Sequence, residues 1–159
     1  MEIYRKYGPL LLRKSERILG NRDDAEDVVQ SLFVEMLKRD KTEEQLPYLY
    51  RAVTNRSLNL IRNRKRRQQL LQGQTLNPYP TQAILDEQVL GSDLLHRLVK
   101  KLDKRSSEIL VYRFLDDMTQ EEIASLMGIS RVTVINRLKK ITAIAKKLDA
   151  AGGQSGETP

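Results

Sequence analysis

The sequence predicts an all-α protein built from two small helical domains joined by a flexible linker. Apolar residues recur at helical spacing through most of its 159 residues, and the alternation typical of strands is nearly absent. A stretch containing Gly73, Pro78 and Pro80 interrupts the helical pattern. The predicted organisation is a first domain at 1–67, a linker at 68–82, a second domain at 83–149 and a disordered tail at 150–159.

The first domain reads as three helices. Apolar residues at helical spacing predict a helix over residues 3–19, which Gly20 and Asn21 terminate. A second helix, over 23–38, begins with an acidic turn that complements the helix dipole. A third helix begins at Pro47 and continues to about residue 67. The apolar stripe expected to bury the second helix consists of Val28, Val29, Leu32, Phe33, Met36 and Leu37.

One side of the third helix mixes an aromatic ring, amides and guanidinium groups. Single-stranded nucleic acid requires this mixture, because bases stack on rings, amides bond exposed base edges and cations neutralise the backbone. A solvated basic face with a half-buried tyrosine is the alternative, and this helix alone does not decide between them. The residues of this side are Tyr48, Arg51, Asn55, Asn59, Arg62 and Arg66.

The second domain reads as four helices, and its last two form a helix-turn-helix. Thr119 and Glu122 form a capping box, and Gly128 suits the left-handed residue after a helix end. Ser130 then caps the following helix. These signals coincide at the spacing of a DNA-binding motif. The four helices are predicted near 83–101, 105–115, 119–127 and 131–148.

The last helix is apolar on one side and basic on the other. Residues 131–147 contain six basic side chains and no acidic one. Such a helix can pack on its domain and lie in the major groove, where Asn and Arg read base edges while Lys and Thr contact phosphates. An ordinary helical hairpin with a solvated basic side is the alternative. The residues predicted to contact duplex DNA are Arg131, Thr133, Asn136, Arg137 and Lys140.

Composition narrows the partners and the chemistry. Lys and Arg total 28 against 21 Asp and Glu, and the net charge of +7 favours a polyanionic partner. The absence of cysteine and the single histidine argue against a zinc site. His96, among apolar neighbours, reads as a partly buried helix residue. With no long apolar run and no secretory signal, we expect a cytoplasmic protein with no membrane insertion, metal or cofactor.

Four motifs, taken in order and spacing, resemble the bacterial RNA polymerase sigma factors of the sigma-70 family. They are the element Asp-Ala-Glu-Asp-Val-Val-Gln at 24–30, the Tyr48–Asn55 segment, the basic run at 62–67 and the helix-turn-helix at 119–140. The resemblance covers about residues 3–148. The size and the presence of only two helical domains resemble the extracytoplasmic-function (ECF) group.

The resemblance implies a role for each domain. Residues 1–67 correspond to region 2, whose second helix docks on the β′ clamp coiled coil of core RNA polymerase. Residues 83–149 correspond to region 4, which reads the promoter −35 element and contacts the β flap. The residues that the resemblance assigns to polymerase binding are Asp24, Asp27, Gln30 and Ser31.

The third helix corresponds to the segment that melts and reads the promoter −10 element. Asn55 stands where relatives have an asparagine that contacts a base turned out of the stack. Tyr48 stands where many relatives have tryptophan, and Leu46 where many have phenylalanine. Because relatives are often held inactive by an anti-sigma factor, such a protein joins polymerase and promoter DNA among the expected partners.

Two other functions compete with this interpretation. A stand-alone helix-turn-helix repressor or activator would use the first domain for dimerisation or effector binding, but needs neither the 24–30 element nor the basic-aromatic helix. A nucleic-acid enzyme would need its acidic residues to hold Mg²⁺. No nucleophile–base constellation or phosphate-binding glycine loop accompanies them, so no catalytic residue is expected. The acidic residues are Asp23, Asp24, Glu26 and Asp27.

Overall fold

The computed structural model describes residues 2–41, 44–72 and 92–154, which contain seven α-helices and no strand. The prediction of an all-α chain is confirmed. The chain divides into two compact units, Met1–Asn63 and Arg64–Pro159. The helices are α1 (Glu2–Leu19), α2 (Arg22–Lys38), α3 (Leu46–Gln72), α4 (Ser92–Lys101), α5 (Lys104–Leu110), α6 (Gln120–Met127) and α7 (Arg131–Gln154), and a π-helical turn, Val111–Leu115, continues α5.

The turn between α1 and α2 forms where the sequence predicts it. Gly20 adopts a φ of 72°, a left-handed conformation that favours glycine. The Asn21 side chain then caps α2, accepting a hydrogen bond from the Asp24 amide at 3.2 Å. This tight connection lets α1 and α2 pack against each other.

Helices α1, α2 and α3 together bury the core of the first unit. The hydroxyls of Ser15 and Ser57 are hydrogen-bonded at 2.9 Å within it and join α1 to α3. The Lys14 ammonium lies 3.9 Å from the centre of the Tyr50 ring, so this mostly buried cation faces an aromatic surface. The core cluster consists of Leu11, Val29, Leu32, Phe33, Met36, Leu49 and Val53.

One residue of the apolar stripe predicted for α2 is exposed instead of buried. Leu37, which periodicity assigns to the core beside Met36, is 55% exposed. The remaining members of the stripe are buried. A helix turns by about 100° per residue, so six stripe positions span more of its circumference than the neighbouring helices cover. Leu37 is therefore a surface residue.

In the second unit, α4, α5, α6 and α7 enclose a separate apolar core. Asp103 caps α5 by accepting a hydrogen bond from the Ser106 amide at 2.8 Å. The buried Tyr112 hydroxyl donates to the buried Glu108 carboxylate at 2.7 Å across the start of the π-helical turn. His96 is half-buried in α4, as its apolar neighbours predict. The fully buried side chains include Leu95, Leu98, Ile109, Leu110, Ile123 and Ile141.

The local signals of the helix-turn-helix are confirmed. The Thr119 hydroxyl accepts a hydrogen bond from the Glu122 amide at 3.1 Å and starts α6. Gly128 ends that helix with a φ of 66°. The Ser130 hydroxyl accepts a hydrogen bond from the Thr133 amide at 3.1 Å and starts α7. The turn between the two helices is thus fixed at both ends by capping contacts.

Two boundaries differ from the predictions. Helix α3 continues past residue 67 to Gln72, because the glutamines and leucines at 68–72 favour helix and the first breaker is Gly73. The rest of the predicted linker lies outside the described residues. So do residues 83–91, the first part of the helix predicted near 83–101.

Helix α7 likewise extends beyond its predicted end at residue 148 and reaches Gln154. Ala150 and Ala151 are strong helix formers that prolong a helix already anchored on the core. The first part of the predicted tail is therefore helical, and the remainder, 155–159, lies outside the described residues.

Candidate nucleic-acid interfaces

The basic-aromatic side of α3 faces away from the core of the first unit. Tyr48 is 46% exposed and Asn59 is exposed, whereas Arg51, Asn55 and Arg62 are half-buried. The core-facing side carries the buried residues Leu49, Val53, Ser57 and Ile61. Arg66 lies further along α3, and its side chain is outside the described residues. We refer to Tyr48, Arg51, Asn55, Asn59 and Arg62 as the α3 face.

Asn59 and Arg62 lie in contact on the α3 face. The Arg62 guanidinium donates a hydrogen bond to the side-chain oxygen of Asn59 at 3.4 Å. An asparagine side chain has an acceptor oxygen and a donor nitrogen. Because the Asn59 oxygen accepts the hydrogen bond from Arg62, the Asn59 nitrogen remains as a donor. The face therefore presents a ring, amide donors and cations within a few helical turns.

An ion-pair network on the other flank of α3 fixes this helix to α2. Arg56 donates a hydrogen bond to the Ser31 hydroxyl at 3.0 Å and binds the Glu35 carboxylate. The hydrogen bond from Arg56, and then its positive charge, lower the pKa of Glu35. Glu35 also pairs with Arg39 at 3.0 Å. Because Arg56 follows Asn55, the network restrains the rotation of the α3 face about its axis.

Helix α2 exposes a surface that is acidic at one end and apolar at the other. Asp27 and Gln30, both predicted to bind polymerase, are exposed, and Val34 and Leu37 continue the same side at helical spacing. The exposed fractions of Val34 and Leu37 are 48% and 55%. We refer to these four residues as the α2 surface. Its two apolar members were not identified by periodicity, which cannot tell which side of a helix remains uncovered.

The other two predicted polymerase-binding residues are partly engaged within the unit. Asp24 is half-buried in the first turn of α2, and its amide is held by the Asn21 cap. Ser31 is exposed, but its hydroxyl accepts the hydrogen bond from Arg56. The geometry thus favours Asp27 and Gln30 as the polar contacts of the α2 surface.

A cavity of about 490 Å³ opens between α1 and α2 beside Gln30. Its apolar wall includes Tyr4, whose ring packs edge-on against Phe33 with the ring centres 5.0 Å apart. An ion pair between Arg22 and Glu26, 3.2 Å long, lies at its rim. Such a cavity can accept an apolar side chain next to the α2 surface. The lining residues are Tyr4, Gly8, Pro9, Leu12, Arg22, Glu26, Val29 and Gln30.

On α7, the side opposite the core carries Val132, Asn136, Lys139 and Lys140, all exposed. We refer to these four residues as the α7 face. Asn136 and Lys140 are among the residues predicted to contact DNA. The first residue of the face, Val132, is 65% exposed; it has neither charge nor a hydrogen-bonding group, so those properties do not predict it as a DNA contact.

Arg137, by contrast, is held against α5. One of its guanidinium nitrogens lies 2.9 and 3.1 Å from the two carboxylate oxygens of Asp103 and 3.1 Å from the Ser106 hydroxyl. Only 25% of its side chain is exposed. Burial raises the pKa of Asp103, but hydrogen bonds from Ser106 and the charge and hydrogen bond of Arg137 outweigh it and lower that pKa to about 2.

Arg131 and Thr133 also contact their own unit. The Arg131 guanidinium lies 3.2 Å from the Glu121 carboxylate and 3.3 Å from the Gln120 side-chain oxygen. The Thr133 hydroxyl is hydrogen-bonded to the Ser130 hydroxyl at 2.8 Å. The structure therefore places Asn136 and Lys140 on the α7 face, pairs Arg131 with α6 and Arg137 with α5, and bonds Thr133 to the cap of its own helix.

Two further properties hold for the part of the chain that the structure describes. Within it, no three histidine, cysteine, aspartate or glutamate side chains cluster closely enough to hold a metal ion, the acidic residues at the start of α2 included. No helix there combines the length and apolar character needed to cross a membrane.

Two family models match the chain, one for each unit. Residues 3–67 match sigma-70 region 2, and residues 92–141 match sigma-70 region 4. The first segment contains the α2 surface and the α3 face, and the second contains the first part of α7, including its face. The matched segments thus coincide with the helices that carry the three surfaces.

Curated relatives and a solved structure agree with these matches. The ECF RNA polymerase sigma factor SigE of Mycolicibacterium smegmatis is 25% identical over 147 residues, which cover 87% of this chain but 57% of that protein. The RNA polymerase sigma-E factor of Streptomyces coelicolor is 27% identical over 157 residues, covering 88% of this chain and 83% of that protein.

The fold is similar to that of the sigma factor RpoE of Bartonella quintana, solved in complex with the anti-sigma factor NepR. The TM-score is 0.51 at 18% identity, over 92% of this chain and 94% of that one. Along the chain, the region 2 match precedes the region 4 match. This chain belongs to the sigma-70 family of RNA polymerase sigma factors.

Proposed function

We propose that this protein binds core RNA polymerase and directs it to promoters, reading the −35 element with α7 and reading and opening the −10 element with α3. The observation that carries this proposal is the presence in one chain of two chemically different helix faces, each with groups suited to nucleic acid. The α3 face offers a ring, amides and cations, and the α7 face offers an amide and cations on a recognition helix. A duplex reader alone needs only the second.

At the −10 element, the α3 face captures bases that leave the duplex. Turning a base out of the stack costs a few kcal/mol, and stacking of a base on an aromatic ring returns about 1–3 kcal/mol. Tyr48 supplies the ring, Asn55 and Asn59 supply amides for exposed base edges, and Arg51 and Arg62 attract the backbone. The free energy gained when the α3 face binds the single strand therefore offsets the cost of opening the duplex.

At the −35 element, α7 lies in the major groove of duplex DNA. Asn136 can form two hydrogen bonds with an adenine, and the two lysines of the α7 face contact phosphates. One chain carries both the α3 face and the α7 face. Binding of one face to its promoter element therefore raises the effective concentration of the other face at its own element.

Polymerase binding is assigned to the α2 surface, with the β′ clamp coiled coil as its partner, and β-flap binding to the second unit. Asp27 and Gln30 supply polar contacts, and Val34 and Leu37 supply apolar area whose burial favours association. An anti-sigma factor is a further proposed partner, which would inhibit the protein by covering the α2 surface. The solved structure of RpoE in complex with the anti-sigma factor NepR supports an anti-sigma factor as a partner.

This function makes the protein a non-catalytic initiation factor that works in the cytoplasm with polymerase. A stand-alone repressor or activator differs from it in a measurable way. The repressor binds a specific duplex tightly by itself, whereas the proposed factor gains promoter affinity only when bound to polymerase. The cationic α7 face, with three of its neighbours engaged internally, is a modest duplex-binding surface on its own.

Run-off transcription from a genomic promoter library, with core polymerase alone and with polymerase plus this protein, tests the proposal. We expect new start sites only when the protein is present, and little duplex retention by the protein alone in gel-shift assays. Absence of new start sites contradicts the proposal. Tight, sequence-specific binding without polymerase favours the repressor function instead.

The polymerase assignment has its own test. Replacing Asp27 and Gln30 together with alanine should weaken capture of core polymerase by the immobilised protein while leaving the helical circular-dichroism signal unchanged. The double variant Glu2→Ala/Glu16→Ala, which removes charge from α1, is the control. Equal capture by the wild type and the Asp27/Gln30 variant rejects the α2 surface as the docking site.

A further inference from the structure

We propose that Val132 is a specificity-determining residue of the −35 reader, which contacts the 5-methyl group of a thymine in the major groove. The inference rests on the proposed function, because it requires α7 to enter the groove of a promoter duplex. It assigns sequence discrimination to an apolar side chain on a surface that otherwise consists of polar and cationic groups.

Val132 is the most exposed of the large apolar side chains that the structure describes, with 65% of its surface accessible. Single exposed apolar residues are common on proteins, so exposure alone carries no function. Its surroundings distinguish it from the other exposed residues. Val132 lies in the first turn of the recognition helix, which is the part of a helix-turn-helix that reaches base edges.

The neighbours of Val132 are directed elsewhere. Arg131 turns back to Glu121 and Gln120 on α6, and the Thr133 hydroxyl is bonded to the Ser130 cap. The cap also fixes the backbone of this turn, because the Ser130 hydroxyl binds the Thr133 amide. Val132 therefore points outward from a helix start whose backbone is fixed by the cap. Because its adjacent side chains are engaged elsewhere, they compete less with Val132 for a base edge.

Asn136 lies one helical turn after Val132 on the same side of α7 and is also exposed. An asparagine in the major groove pairs with the N6 and N7 atoms of adenine. One turn of helix advances about 5.4 Å, and base pairs are stacked about 3.4 Å apart. The thymine read by Val132 should therefore lie within roughly two base pairs of the adenine read by Asn136, on either strand.

A thymine methyl is the major-groove group that suits a valine. The other base edges in this groove present hydrogen-bond donors and acceptors, and only thymine adds a methyl group. Removing one buried carbon from an apolar contact weakens binding by about fourfold. The contact therefore discriminates thymine from deoxyuridine, which keeps every hydrogen-bonding group and lacks only the methyl.

The test begins with the −35 sequence that the holoenzyme itself selects. Core polymerase bound to this protein is used to select duplexes randomised upstream of a fixed −10 region, and each thymine of the selected element is then replaced by deoxyuridine. For the wild-type holoenzyme we expect an affinity loss of about fourfold at one thymine.

The variant Val132→Ala should lose this discrimination, binding the thymine and deoxyuridine duplexes equally. Alanine favours helix more than valine does, so the exposed substitution should preserve α7. Leu10→Ala, which shortens an exposed apolar side chain on α1, is the matched control and should discriminate as the wild type does. Selection of a −35 element by the Val132→Ala holoenzyme at all confirms that the groove is still occupied.

An equal deoxyuridine penalty in wild type and Val132→Ala overturns the inference, because another residue then contacts the methyl. Absence of any deoxyuridine penalty in the wild type overturns it as well, while leaving the proposed function intact. Failure of the wild-type holoenzyme to select any upstream element contradicts both the inference and the proposed function. These outcomes are distinguished by which holoenzyme and which duplex show the loss.

Discussion

The α3 face and the basic side of α7 were both predicted from helical spacing, and the structure treats them differently. On α3, the predicted residues whose side chains are described lie together on the side opposite the core. On α7, three of the predicted residues, Arg131, Thr133 and Arg137, contact their own unit. Periodicity locates a helix side, but it does not show which cations of that side form ion pairs with neighbouring helices.

The largest expected effect concerns the α3 face. Asn55→Ala should reduce formation of open promoter complexes by about 5- to 150-fold, because it removes about 1–3 kcal/mol of base contact in a step that also includes strand opening. Permanganate footprinting of unpaired thymines measures this. Asn63→Ala, an exposed amide further along α3, is the control. Equal losses for both variants would show that the α3 face has no special role.

A smaller effect is expected on α7. Asn136→Ala should alter the preferred base at one −35 position with about a fivefold loss of affinity, because phosphate contacts still anchor the duplex. Holoenzyme selection on randomised −35 elements measures the preference. Lys140→Ala should instead weaken binding to all sequences about equally and lessen its salt dependence. A changed base preference for Lys140→Ala, with none for Asn136→Ala, reverses these assignments.

The ion pair between Arg137 and Asp103 distinguishes α7 from α3. If the Asp103 contact is the role of Arg137, Arg137→Ala and Asp103→Ala should each lower the free energy of unfolding of the second unit. The double variant should lower it by no more than the larger of the two single losses. The interaction energy between Arg137 and Asp103, which is the non-additive part of the two losses, should be at most about 1 kcal/mol, because this pair is partly exposed to solvent. Urea unfolding of the three variants measures it.

The base preference of Arg137→Ala separates the two roles of this residue. An arginine that positions α7 changes affinity uniformly across sequences, whereas one that reads guanine relaxes a single position. Uniform loss with non-additive stability supports the positioning role. Relaxed selectivity at one position, with additive stability effects, returns Arg137 to the group of base readers.

The smallest expected effect is a dependence of stability on acid. The pKa of Asp103 is lowered to about 2 from an ordinary value near 3.8. Its contribution to stability is therefore fully present above about pH 4 and disappears as the pH falls toward 2. The stability difference between wild type and Asp103→Asn, followed by thermal unfolding from pH 6 to pH 2, should shrink in this window. A constant difference contradicts the ionised pair.

The helices and turns that depend on neighbouring residues could be predicted from the sequence alone. Helical periodicity, the Thr119 and Ser130 caps and the left-handed Gly128 predicted the all-α class and the helix-turn-helix, because each depends on residues within one or two turns. The order of the motifs was sufficient to identify the family.

Which side chains of those helices remain exposed, and which form ion pairs, depends on tertiary packing. The partner of Arg137 is Asp103, 34 residues earlier in the chain, and the partner of Arg56 is Glu35 on another helix. The exposure of Leu37 likewise depends on where α1 and α3 end their coverage of α2. Contacts between distant residues arise from packing, so a local pattern of charge or hydrophobicity does not contain them.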